Sequence, residues 1–271
     1  HPVYPCSLVR PAEEPAPPPG LDWNLWLGPA PERPYHPSYH PENWRAWWDF
    51  GSGAVGDMSC HTLHICFREL RLGAPALVHG SASQRHDGFF KFTATPECVS
   101  HANTVTWDYP ARGELPPLRL HWYDGGLRPA RPAELPRDME LPRSGVLFRG
   151  AEGELIAGFS GGNPFGKQGR GGPGGLLLPE DRFRGLTPPP RSLERCPPGE
   201  HYRDWVRACL EGRPSLCPVE FACDMTEVAL LGAAALRTKR LLAWDQAAGR
   251  VINHDPANAI IRPAYREGWG L

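Results

Sequence analysis

Asp57 and His61 are the two residues of this chain whose types and spacing best suit chemistry. They stand four positions apart in the stretch GSGAVGDMSCH, residues 51–61, and on a helix that spacing puts both side chains on one face, one turn apart. A carboxylate beside an imidazole fixes its tautomer and raises its basicity, as a general base acting on a hydroxyl group requires. On spacing alone the structural alternative is favoured, because Asp is a common helix cap and His61 would then be a half-buried residue with its hydrogen bonds satisfied.

The glycines of the same stretch satisfy the G-x-G-x-x-G pattern of dinucleotide-binding loops. That fingerprint requires a buried strand directly before it and an acidic residue about twenty positions later, at the end of a second strand. Here the preceding residues are NWRAWWDF, which are bulky and polar, and Glu69 belongs to the same predicted helix. We therefore interpret the glycines as a close approach of backbone to a neighbouring element at the start of a helix.

Arg45, Trp47 and Trp48 stand just before the glycines and are candidates to face the same cleft. Aromatic faces pack against the C–H surfaces of sugars, and an arginine donates paired hydrogen bonds to hydroxyls or a carboxylate. The alternative is a packed aromatic cluster with Arg45 stacked on it. Tyr123 and Asp124 are weaker candidates for the rim of the site, because the two glycines that follow them are typical of a turn.

Four histidines, at positions 36, 40, 61 and 64, invite a metal interpretation. Pro37 and Pro41 argue against a helix that would pair the first two, and beyond Asp57 no carboxylate or thiol completes a ligand set for the others. We predict no metal site. The eight cysteines include no C-x-x-C pair, and in a chain of this size we expect mostly free thiols.

The elements that must position these residues follow from hydrophobic periodicity. Apolar residues recur every three to four positions over 53–71 and predict a helix that stops before Gly73-Ala74-Pro75. Consecutive β-type segments without helices between them favour a mainly antiparallel sheet. The predicted strands are 76–82, 103–111 and 118–126, a hairpin of 145–150 and 154–160 with its turn at 151–153, and a late pair at LLAWD and GRVIN; two further helices are predicted at 201–212 and 220–238.

Length and charge exclude several classes of partner. The chain has 271 residues and a formal net charge of -1, without runs of Lys or Arg, so it lacks the positive field that nucleic acids or membrane surfaces attract. No apolar run approaches the roughly 20 residues needed to span a bilayer. Small-molecule ligands remain the expected partners.

The first twenty residues are expected to form a connector. PAEEPAPPPG, residues 11–20, is too rich in proline for a helix or sheet. The chain opens on His1 rather than Met, so we expect a domain upstream of residues 1–20 and a single substrate-binding and catalytic domain over 21–271. The compartment, cytoplasm or periplasm, stays open.

Three separated motifs carry a resemblance to a known family. These are DWNLWLGPAPERPY, PENWRAWWDFGSGAVGDMSCH and the closing WD followed by AYREGW. Together they resemble the C-terminal domain of the glucose-fructose oxidoreductase and inositol dehydrogenase (Gfo/Idh/MocA) family, in particular its bacterial branch. The family's Asp-x-x-x-His pair falls on Asp57 and His61. His64 departs from the family, which often has Asp at that position.

The resemblance implies an α+β domain with a mainly antiparallel open sheet, helices on one face and homo-oligomerisation through the open face. It implies an oxidation of a sugar or polyol hydroxyl by NAD or NADP, with the cofactor bound mainly by an N-terminal domain that this chain lacks. His61 would be the base, Asp57 would orient it, and Arg45, Trp48 and Tyr123 would contact substrate. Two alternatives stay open: glycoside cleavage or epimerisation through transient oxidation, and a noncatalytic sugar-binding or assembly module.

Overall fold

The computed structural model describes residues 4–159, 161–190 and 194–270. The chain divides into two compact units, residues 1–130 with 228–271 and residues 131–227. In chain order the helices are α1 Trp23–Leu27, α2 Gly53–Leu70, α3 His201–Glu211, α4 Val219–Thr238 and α5 Asp255–Ile261. The strands are β1 Leu77–Ala82, β2 Arg85–Gly88, β3 Lys91–Thr93, β4 Asn103–Tyr109, β5 Leu118–Tyr123, β6 Gly145–Arg149, β7 Glu154–Gly158, β8 Leu176–Leu178, β9 Leu242–Asp245 and β10 Arg250–Val251.

The first unit is built on an antiparallel sheet in the order β10-β9-β1-β4-β5. One face of this sheet packs against α2 and α4, and the fit is close at Gly232 of α4. A Cβ atom there would lie 2.7 Å from the indole of Trp107, 3.2 Å from Val105 and 3.4 Å from Val55 of α2. Only a glycine allows this approach, because Trp107 is fully buried and a closed core does not yield to an added methyl group.

The opposite face of the sheet is more polar. Successive side chains of a strand point to opposite faces of the sheet. Val105 and Trp107 face the helices, so their neighbours along β4 point away from the helices, and so do the residues that pair with those neighbours on β1 and β5. His79 and His121 lie on this face and are exposed, while Tyr123 is half-buried there. Homo-oligomerisation through this face stays a prediction.

The second unit contains an antiparallel sheet in the order β6-β7-β8. The predicted hairpin between β6 and β7 is confirmed, and the amide of Gly150 donates to the carbonyl of Gly153 at 2.9 Å across its turn. The core of this unit consists of Leu135, Met139, Ile156, Phe165, Leu176 and Leu178. Phe165 comes from the glycine-rich segment 161–175, which is thereby anchored to the sheet.

The predicted fold class is confirmed: the chain is a mixed α/β structure with antiparallel sheets. The predicted helices at 53–71, 201–212 and 220–238 correspond to α2, α3 and α4. The β2–β3 hairpin and helices α1 and α5 were not predicted, because each is shorter than the window in which periodicity becomes visible. Residues 1–20 were expected to connect this domain to another one upstream, and that expectation stays a prediction.

Candidate active site

The glycines at the start of α2 allow close packing, as the sequence led us to expect. A Cβ atom on Gly51 would lie 2.6 Å from the carbonyl oxygen of Arg45. Gly53 has a φ of +65°, and its Cβ would lie 2.6 Å from Cγ1 of Val99. The residues upstream, Asn43–Ala46, form a short 3₁₀ helix rather than a strand. The segment therefore lacks the strand that a dinucleotide fingerprint requires.

Asp57 and His61 both lie on α2, one turn apart on the same face. The N-cap position of α2 is Ser52, so the alternative in which Asp57 caps the helix is wrong: the helix begins a full turn before it. Asp57 is half-buried, and His61 is exposed rather than half-buried. An exposed imidazole above a half-buried carboxylate is accessible to a small-molecule substrate.

Arg45 gives Asp57 an ionic neighbour. Its Nε atom lies 3.8 Å from Oδ1 of Asp57, and each side chain is about one-third exposed, at 33%. The guanidinium also stacks 4.5 Å from the ring centroid of Trp44, and Nη1 donates to the carbonyl of Glu42 at 3.1 Å. Arg45 therefore stacks on an aromatic ring, as the structural interpretation expected, and its contact with substrate stays a prediction.

Tyr4 is a residue of this region that sequence reasoning missed. It is buried in an aromatic cluster with Tyr39, Ala46, Trp47 and Cys98, and its hydroxyl has no hydrogen-bond partner among the described residues. Burial raises its pKa, and the charge of Asp57 raises it further, so the phenol stays neutral close to the candidate pair. Tyr4 lies in the segment expected to be a bare connector, where no pattern marked it.

The two adjacent tryptophans have different roles. Trp47 is fully buried in that aromatic cluster, and its Nε1 donates to the carbonyl of Ser38 at 2.8 Å. The expectation that Trp47 faces a cleft is wrong, because its ring fills the core. Trp48 is half-buried, lines a pocket of about 310 Å³ and lies 5.5 Å from the guanidinium of Arg237. It is the one of the pair that a ligand can reach.

Tyr123 ends β5, and Asp124 follows it directly. Tyr123 pairs with Thr104 and lies on the sheet face opposite α2, so its role as a substrate contact stays a prediction. Asp124 is 2% exposed and closes a turn. Its Oδ1 accepts from the backbone N–H and the Nδ2 of Asn103 at 2.8 and 2.9 Å, and its Oδ2 accepts from Nε1 of Trp122 at 2.9 Å.

The fold also joins the first and last of the three separated motifs. Nη1 of Arg266, in the closing motif, lies 2.7 Å from Oδ1 of Asn24 and 2.6 Å from Oε2 of Glu32. Its Nε donates to the carbonyl of Gly28 at 3.2 Å. The tail is therefore fastened to the tryptophan-rich segment that precedes the candidate site.

Histidine and cysteine side chains are the other candidates for chemistry in the described chain. Within those residues no group of three or more His, Cys, Asp or Glu is arranged to hold a metal ion. Nδ1 of His36 is hydrogen-bonded to the hydroxyl of Ser38 at 2.9 Å, and Nδ1 of His64 lies 3.0 Å from the carbonyl of His61. All eight cysteines are free thiols. Among the described helices, none combines the length and apolar character that crossing a bilayer requires.

Comparison with known families bears on residues 10–86. They match the family model for the C-terminal alpha/beta domain of an oxidoreductase family, GFO_IDH_MocA_C2. The match covers a little more than a quarter of the chain and includes α2 with Asp57 and His61, so the resemblance drawn from the motifs is confirmed there. A comparison with curated proteins gave no match.

Proposed function

We propose that this chain is the substrate-binding part of an NAD- or NADP-dependent oxidoreductase that acts on a hydroxyl group of a sugar or polyol. The observation that carries the proposal is the Asp57–His61 pair on α2, inside the segment that matches the oxidoreductase domain. An exposed histidine one turn from a half-buried carboxylate suits proton removal from a substrate hydroxyl.

His61 accepts the hydroxyl proton in this proposal. Asp57 favours the imidazolium that forms, because a carboxylate nearby stabilises a developing positive charge. Arg45 holds the Asp57 carboxylate from the side at 3.8 Å, so it positions that group. We assign Trp48 to substrate contact, because its half-buried ring lines the described pocket.

The chain's own glycine motif does not fit a dinucleotide. The space above Gly51 and Gly53 is filled by the backbone of Arg45 and the side chain of Val99, so no phosphate can approach those amides from that side. The proposal therefore places the dinucleotide on residues outside this chain, and this chain supplies the proton acceptor and the sugar contacts.

Calorimetry tests this division of labour. We expect this chain to bind no NAD or NADP, and a longer polypeptide that includes the residues encoded upstream to bind one of them. Dinucleotide binding by this chain alone would contradict the proposal. Carbohydrate binding by this chain, with no dinucleotide binding by either polypeptide, would instead indicate a noncatalytic sugar-binding module.

A further inference from the structure

The pocket beside Trp48 has an excess of positive charge. Three cationic residues, Arg85, Arg237 and Lys239, are among the described residues that line it, and none of those lining residues is an Asp or Glu. Trp48 and Phe92 supply aromatic surface, and the hydroxyls of Ser83, Thr93 and Thr95 supply neutral hydrogen-bonding groups. Such a lining favours an anionic ligand with an apolar or ring-shaped face.

Two of the three cations have no acidic partner in the described chain. Arg85 is paired with Asp87, with Nε 2.8 Å from Oδ1. Arg237 and Lys239 have no carboxylate within ion-pair distance among the described residues. Partial desolvation lowers the pKa of Arg237, although the residue is exposed, and the carboxylate that opposes this effect, Asp49, is already paired with Arg33. An anion in the pocket would give both cations a partner of opposite charge.

The position of Arg237 has a structural explanation that accounts for only part of this arrangement. It lies in the last turn of α4, where the helix dipole favours a cation. Lys239 follows the helix directly, its N–H donates to the carbonyl of Ala235 at 2.9 Å, and its φ is +53°, so it is a left-handed helix cap where the dipole also favours a cation. The dipole does not explain why no acid is among the described residues that line the pocket.

We propose that this pocket binds a monosaccharide-sized ligand that carries a carboxylate or a phosphate group. The volume of about 310 Å³ lies at the lower end of the range of roughly 300 to 1,000 Å³ for small-molecule sites. Arg237 presents a planar guanidinium that carboxylates and phosphates bind in pairs of hydrogen bonds, and Lys239 adds a point charge. The anion preference rests on the pocket alone, and the choice of a sugar rests on the proposed function.

The pocket and the proton-accepting pair can be tested separately. No residue of α2 is among those that line the pocket in the described structure, so different substitutions report on the pocket and on the pair. Full turnover in His61→Ala would defeat the proposed function without affecting this inference. Equal affinity for neutral and anionic sugars would defeat this inference without affecting the role of His61.

Titration calorimetry on this chain at low ionic strength tests the proposal with four probes: glucuronate, glucose-6-phosphate, glucose and inorganic phosphate. We expect at least one of the two sugar anions to bind at least about tenfold more tightly than both glucose and phosphate, since charge-assisted bonds are the stronger ones. The two anion arms distinguish a carboxylate ligand from a phosphate ligand. Equal affinity for glucose and the sugar anions would overturn the proposal. Equal affinity for all three anions would also overturn it, because it would indicate general electrostatic attraction rather than a site for a sugar.

Substitutions locate the binding. Arg237→Gln and Lys239→Gln should each weaken binding of the sugar anion at least about fivefold, because each removes a charge that the ligand neutralises. Arg240→Gln is the matched control: it removes the same charge from an exposed residue that does not line the pocket. Equal losses in Arg240→Gln and Arg237→Gln would show that only net charge matters and would overturn the proposal.

Discussion

Asp124→Ala should be among the most damaging single substitutions in the first unit. The carboxylate is 2% exposed and accepts three hydrogen bonds, from the backbone and side chain of Asn103 and from the indole of Trp122. Alanine would leave the buried N–H of Asn103 and Nε1 of half-buried Trp122 without this acceptor, while Nδ2 of Asn103 keeps its bond to the carbonyl of Ser100 at 3.1 Å. Each unsatisfied donor costs about 1 to 3 kcal/mol, and because removal of a desolvated charge offsets part of this cost, we expect a loss of about 2 to 4 kcal/mol in the free energy of unfolding.

Asp108→Ala is the matched control on the same sheet. Asp108 is half-buried, and its Oδ1 lies 2.5 Å from Nε of Arg119, a side chain that is 62% exposed. Surface ion pairs of this kind contribute about 0 to 1 kcal/mol. Urea unfolding followed by tryptophan fluorescence compares the two variants and reports mainly on the first unit, because Trp205 is the only tryptophan in residues 131–227. A difference below about 1 kcal/mol between the variants would refute the assignment of Asp124 as a buried acceptor.

Three further predictions follow from local geometry. Gly53→Ala forces an alanine to a φ of +65° and against Val99, so it should cost about 2 to 5 kcal/mol in urea unfolding. Gly73→Ala, where a Cβ meets open space, should change little, and equal effects would contradict the packing argument. Burial raises the pKa of Cys66 to about 11, so iodoacetamide at about pH 8 should alkylate exposed Cys209 and spare Cys66 until urea is added, as mass spectrometry would show. Burial also raises the pKa of Asp124, so native protein holds this proton more tightly than unfolded protein, and stability should fall as pH rises from about 3.9 towards the raised pKa. Asp124→Asn should lack that decrease, and an unchanged pH profile would contradict the shift.

The sequence predicted the longer elements because their periodicity is strong. Helix α2 was expected because apolar residues recur along 53–71 at helical spacing, and the packing function of Gly51 and Gly53 was expected because no strand precedes them. The hairpin at 151–153 was expected because a glycine-containing turn joins two β-type segments. These features depend on local patterns, which a single sequence contains.

What the sequence did not predict depends on long-range packing. Trp47 and Trp48 are adjacent and chemically identical, and only the tertiary structure decides that the first is buried and the second lines the pocket. Arg237 and Trp48 are distant in sequence, so no local pattern joins them. Tyr4 lies in a segment without periodicity, and its burial near Asp57 becomes visible only when the chain is folded.

The most direct test of the account compares His61→Ala with His64→Ala in a longer polypeptide that includes the residues encoded upstream, which the proposed function expects to bind the dinucleotide. Both histidines lie on α2, so the pair controls for loss of a histidine from this helix, and urea unfolding confirms that both variants are folded. The account predicts that His61→Ala lowers kcat for sugar or polyol oxidation by about 10² to 10⁴-fold, the usual contribution of a general base, while His64→Ala stays close to the unsubstituted protein. Full activity in His61→Ala would contradict the account.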